Sequence, residues 1–189
     1  MKKIFYTFLL VCPLLFIASC EKEKEEEVKE IYQLGDIAEG GIVFYLNNSG
    51  TNGLIAALED LSGEYQWGCH QVNVDGASGV SIGSGYQNTL DIVSFGCQTS
   101  NGGLTAAAAA RNYQYGSYND WYLPSKFELV EMYNSIGGGG NFDDDWYWSS
   151  SEQSINNYYS AWGVFFDDGD SNFYYTKTKS GRVRPIRSF

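Results

Sequence analysis

Histidine is nearly missing from this chain; His70 is the only one in 189 residues. A Ser-His-Asp triad would have to be built on it, and no nucleophile elbow is recognised to accompany it. Cysteine is sparse too, with Cys12, Cys20, Cys69 and Cys97 and none beyond. No Cys-x-x-Cys pair occurs, so a metal site made from Cys69, His70 and Cys97 lacks the usual ligand spacing, and no metal or other cofactor is expected. Basic residues are few: from Ile31 onward 7 face 17 acidic ones, a net of −10. That balance argues against nucleic acid as a partner, and against sulfated glycans held by a general basic field. A membrane-spanning run is lacking as well. About 20 apolar residues are needed to cross the hydrocarbon core, whereas residues 4–18 form a shorter run that contains Pro13.

What stands at the N-terminus is an export signal. Lys2 and Lys3 precede the apolar run, and Ser19 and Cys20 close it. A basic start followed by a short apolar stretch is the pattern of a secretory signal. Ile17 fits poorly the small-residue position of an ordinary cleavage site. Ile17-Ala18-Ser19-Cys20 instead resembles a bacterial lipobox. The resemblance implies cleavage before Cys20, residues 1–19 as the signal peptide, and a diacylglycerol on Cys20. Two or more acyl chains give stable anchoring where one gives only marginal binding. Residues 20–34 then read as a tether, because a run such as Glu21-Lys22-Glu23-Lys24-Glu25-Glu26-Glu27 cannot bury apolar surface. An acidic stretch directly after a lipid cysteine resembles the surface-export signal of Bacteroidota lipoproteins. That implies an outer-membrane protein displayed outward.

Residues 35–189 are left for one domain with a real core, within the roughly 160 residues that follow the signal and most of the tether. Glycine is abundant, aromatics make up 16% and proline is rare. The mixture suggests short strands, long loops and an aromatic core. Ile42-Val43-Phe44-Tyr45-Leu46 and Leu54-Ile55-Ala56-Ala57-Leu58 read as a hairpin around the turn-rich residues 47–53. Residues 63–103 are irregular and hold Cys69 and Cys97. In an oxidising compartment one disulfide between them is the default, closing a loop of about 28 residues for about 3 kcal/mol. A short helix is allowed around residues 88–93, and Thr105 can cap another over residues 106–113. Ser125 with Glu128 forms a capping box, and Leu129, Met132, Tyr133 and Ile136 make one buried helical stripe before residues 137–140, all glycine. Strands are expected at residues 147–151, 161–166, 173–176 and 182–188. Asp167-Asp168-Gly169-Asp170 is read as a hairpin turn. Strands, then helices, then strands predict an α+β domain with about two main helices.

Several segments carry a family likeness. Trp121-Tyr-Leu-Pro-Ser-Lys-Phe-Glu-Leu, Tyr147-Trp-Ser-Ser-Ser-Glu, Ala161-Trp-Gly-Val-Phe-Phe-Asp-Asp-Gly and Arg182-Val-Arg-Pro-Ile-Arg resemble the C-terminal domain family of the Legionella collagen-like adhesin. The likeness spans roughly residues 35–189. It extends distantly to the C-type-lectin and formylglycine-generating-enzyme fold group, which implies a C-type-lectin-like single domain with its terminal strands paired. Formylglycine-generating enzymes use cysteines late in the domain, and this chain has none after Cys97, so their activity does not carry over. The C-terminal segment also resembles the variable proteins of diversity-generating retroelements, in which randomised codons scatter residues over a ligand-binding face.

Strand geometry points to the same segment. Alternate residues of a strand face opposite sides, so Trp162, Val164 and Phe166 form a core face, while Gly163, Phe165 and Asp167 share the other. Tyr158, Tyr159, Gly163, Phe165, Asp167, Asp168, Asp170, Ser171, Phe173, Tyr174 and Tyr175 are therefore the expected ligand-binding set. Aromatics among small polar residues have the composition of a binding paratope. The alternative is that these aromatics are simply core. Paired carboxylates for a glycosidase exist at residues 143–145 and 167–170, although Asp runs in loops are more often solvated turns. Calcium at Asp167, Asp168 and Asp170 lacks the Glu that closes an EF-hand loop. The function expected is a surface lipoprotein, not an enzyme, whose domain binds an external protein or glycan. A carbohydrate-active enzyme and a structural, pilus-like component are the alternatives.

Overall fold

A computed structural model describes residues 30–153 and 158–189. The signal peptide, Cys20 and most of the acidic tether lie outside the described residues. Nine strands and three helices are present among those described, in the order β1 (Ile37–Ala38), β2 (Gly41–Leu46), β3 (Gly53–Ala57), β4 (Tyr65–Gln66), α1 (Gly85–Phe95), α2 (Ala106–Asn112), α3 (Lys126–Ile136), β5 (Trp146–Glu152), β6 (Ser160–Phe165), β7 (Tyr174–Thr176), β8 (Ser180–Gly181) and β9 (Ile186–Ser188). All strand pairings are antiparallel, in sheets ordered β1-β2-β3-β9, β4-β8 and β5-β6-β7. The fold class is α+β, as expected.

The two larger sheets meet across α3. Leu129, Met132 and Ile136 pack between Phe44, Leu54 and Ile186 of the first sheet and Tyr147, Val164 and Phe166 of the second. Ser125 caps this helix by accepting from Glu128 N, while the Glu128 carboxylate accepts from Ser125 N at 2.7 Å. On the other side of β5, α1, α2 and Trp67 pack with Trp146, Trp148 and Ala161 in a second cluster.

The helix α1 is longer than the residues 88–93 suggest and brings the helix count to three rather than two. Its buried side chains include Asn88 and Thr89. Asn88 donates to Gly79 O at 2.6 Å, and Thr89 Oγ1 donates to Gly85 O at 2.7 Å. A helix held by buried polar contacts shows little apolar periodicity, and its N-cap Ser84 makes no side-chain capping bond.

The expected strand over residues 182–188 is regular only in β9. Pro185 has no N–H to donate, and the chain there crosses between sheets. Arg182 exchanges backbone hydrogen bonds with Trp146 and Trp148, whereas Ile186 pairs with Ala56. The C-terminal strand thus joins the N-terminal hairpin through β3. Tyr32, within the expected tether, already packs its ring on Phe189.

Candidate ligand-binding face

All seven residues of β5 are buried, including three consecutive serines and Glu152. The serines tie the strand to its surroundings: Ser149 Oγ donates to Trp162 O of β6, and Ser150 Oγ and Ser151 Oγ donate to the loop carbonyls Pro124 O and Gly79 O, at 2.7, 3.2 and 2.6 Å. The strand therefore gives the β6–β7 hairpin a fixed base.

Along β6 the alternation holds, but both faces are covered. Val164 and Phe166 lie under α3. Ala161, Gly163 and Phe165 turn toward the Trp146 cluster. Gly163, expected on the exposed face, is buried; a Cβ there would come within 2.3 Å of the Trp146 ring. Phe165 and Tyr175 are half-buried, with ring centroids 5.3 and 4.5 Å from Trp146. Two-fold periodicity separates the faces of a strand without saying which meets solvent when each has a partner layer.

Trp162, expected in the core face, differs as well. It is half-buried rather than core. It pairs across the hairpin with exposed Tyr174, ring centroids 5.6 Å apart, and Lys126 Nζ stands 3.7 Å from its ring centroid. Phe127, also exposed, lies beside Lys126. Burial lowers the Lys126 ammonium pKa from its ordinary value, and the charge of Asp170 opposes that shift. Phe173 is exposed and edges onto Phe165. Tyr158 and Tyr159 are exposed, the latter against the His70 ring.

Asp167 and Asp168 are exposed in the turn, with Asp170 and Ser171 half-buried after it. Asp168 Oδ1 accepts from Asp170 N, and Asp170 Oδ1 from Asn172 N. These carboxylates order their own turn, as short polar side chains do. Gly169 adopts φ +76°, and a side chain there would strike the Tyr133 ring at 2.2 Å.

Several other carboxylates are held by cations. Asp143 and Asp145 pair with Arg182 at 3.0 and 3.4 Å, and Asp60 with buried Arg184 at 2.6 Å. Glu152 pairs with Lys177 inside the protein. Lys177 Nζ also donates to Val72 O at 2.8 Å and lies over the Trp67 ring. Burial pushes the Lys177 pKa down, against the raising effect of Glu152. Cys69 and Cys97 form the expected disulfide, so both sulfurs of the metal alternative are in that bond. Residues 79–83, Gly-Val-Ser-Ile-Gly, do carry the spacing of a nucleophile elbow, contrary to the sequence reading. No strand leads into them, so the strand–turn–helix frame that presents such a serine is missing there among the described residues.

A family model, the Lcl C-terminal domain, matches residues 58–187. The chain belongs to the Lcl C-terminal domain family. It is thus an adhesin-family domain, of a surface-associated kind. Comparison with curated proteins finds no match. No helix among the described residues is long and apolar enough to cross a membrane. Much of what carries the family likeness is scaffold: Trp121, Leu123 and Arg184 are fully buried, and Ser125 and Glu128 form the capping box. The aromatics exposed on the hairpin lie in and between those segments of the Lcl domain.

Proposed function

We propose that this chain is a surface-displayed lipoprotein, anchored through Cys20, whose lectin-like Lcl domain binds an external protein or glycan without catalysis. The observation that carries the reading is the surface formed by Trp162, Tyr174 and Phe127, with Lys126 and Asp170 beside them. Rigid aromatics lose little side-chain entropy on binding and offer both apolar area and polar edges. The hairpin that carries Trp162 and Tyr174 is anchored on a fully buried strand, and Phe127 stands on α3, so the surface is organised before a ligand arrives. Engagement of Asp60, Asp143 and Asp145 by arginines supports a binding role over glycoside hydrolysis. Scatter of the exposed residues through the C-terminal segment is compatible with a retroelement-diversified surface.

Screening the full chain on protein and glycan arrays tests the surface. A Trp162→Ala, Tyr174→Ala double variant is expected to lose binding at least about tenfold, as central aromatic contacts do. Binding that survives unchanged would place the ligand elsewhere. Incorporation of labelled palmitate, abolished in Cys20→Ala, tests the anchor.

A further inference from the structure

The disulfide-closed loop and the end of β5 enclose a separate concavity of about 310 Å³. Asn73, Asp75, Gly76 and Ser78 line it from the loop, and Glu152 and Tyr158 from the other side, with Val74 at its base. The loop is fixed in place from several directions. Val74 N donates to Glu152 Oε2 at 3.0 Å, and Glu152 N donates to Ala77 O at 2.7 Å. Lys177 holds both Glu152 and Val72 O, and the Cys69–Cys97 bridge closes the segment. A concave site preformed in this way orders little on binding.

Its chemistry narrows the ligand. Asn73 supplies an amide, Asp75 a carboxylate, Ser78 a hydroxyl and Tyr158 a phenol, so the rim both donates and accepts. Asn73 Nδ2 donates to Asp75 Oδ1 at 2.7 Å, holding the two together. Lys177 compensates the charge of Glu152, and among the described residues no cationic side chain lines the rim. An anion would meet Asp75 unopposed. The Tyr158 ring adds apolar surface, while Val74 beneath is buried in the core. The size lies at the lower end for small-molecule sites, which run from about 300 Å³.

We propose that this cavity is a saccharide subsite taking one neutral, polyhydroxylated sugar unit. It is independent of the β6–β7 aromatic surface, since its polar rim shares no residue with Trp162, Tyr174 and Phe127. Titration of the full chain with glucose, galactose and N-acetylglucosamine, and with glucuronate and glucosamine as charged counterparts, tests it by amide NMR. At least one neutral sugar is expected to shift the Gly76 and Ser78 amides, with a dissociation constant on the order of millimolar. Asp75→Ala or Ser78→Ala should weaken that binding several-fold while the rest of the spectrum is unchanged; both positions are exposed, so the fold does not depend on them. Trp162→Ala should leave it intact, which separates this site from the aromatic surface. Absence of any neutral-sugar shift at Gly76 and Ser78 would overturn the proposal. So would preference for a charged sugar, or binding indifferent to both variants.

Discussion

Gly163 has no room for a side chain. A methyl group there would lie 2.3 Å from the Trp146 ring and 2.4 Å from Tyr147 O. The second contact is backbone, so relief requires β5 and β6 to separate. Gly163→Ala is expected to destabilise the domain by about 1–3 kcal/mol, as overpacking does. In a domain of this size that lowers the melting temperature by about 2–4 °C per kcal/mol. Thermal melts followed by circular dichroism check it, and an unchanged melt would mean the strands can part. The same crowding bears on diversification: position 163 is closed to side chains, whereas Tyr174 and Phe173 are exposed and open to replacement.

At the scale of elements, the C-terminal strand is held by charge as well as by its ladder. Arg187 of β9 reaches Asp120 through two hydrogen bonds, Nε at 2.7 Å and Nη2 at 3.1 Å, and also pairs with Glu39. Burial alone would raise the Asp120 pKa, but the Arg187 hydrogen bond and charge outweigh it and hold the carboxyl below its ordinary value. A carboxyl with a depressed folded pKa contributes stability above its unfolded pKa, about 3.9, and loses it as pH falls through the lower folded value. The stability advantage of the native chain over Asp120→Asn should therefore be full at neutral pH, shrink below about pH 4 and vanish at stronger acid. Because Asp120 is about half exposed, the advantage should be about 1 kcal/mol or less. Denaturant titrations of both proteins across that range measure it; a difference that does not change with pH would show that the pair is not coupled to folding. Helix α3 shows how much of an element can be read from sequence. Its cap, stripe and glycine stop are all local, and all are present. Helix α1 is the converse, since Asn88 finds its acceptor only when residue 79 is brought near, and Thr89 accepts from Leu123 N only across the fold.

Across the whole molecule, the disulfide ties the irregular half of the chain to the sheets. Cys69 and Cys97 are 28 residues apart, and Lys177 of the C-terminal segment donates to the loop between them. Reduction should destabilise the domain by about 3 kcal/mol in the chain-entropy model. The Cys69→Ser, Cys97→Ser variant should match the reduced protein in calorimetry. Equal melting of oxidised and reduced forms would mean that the Glu152–Lys177 pair and the core hold the loop without the bond.

Sequence by itself determined the features that need only neighbours: the α+β order of elements, the α3 cap, the hairpin turn at Gly169 and, from cysteine number and compartment, the single disulfide. The candidate surface was half legible. Tyr158, Tyr159, Phe173 and Tyr174 are exposed as their segment suggested; Phe173 and Tyr174 lie at the end of the hairpin turn and on its short edge strand, which have few layers to cover them. Which side of β6 meets solvent was decided by tertiary structure alone. Gly163 and Phe165 turn inward because Trp146 covers them, and Trp162 is left half-buried with the Lys126 ammonium and the Tyr174 ring against it. Alternation carries the phase of a strand; the reach of the layers packed on it decides the rest.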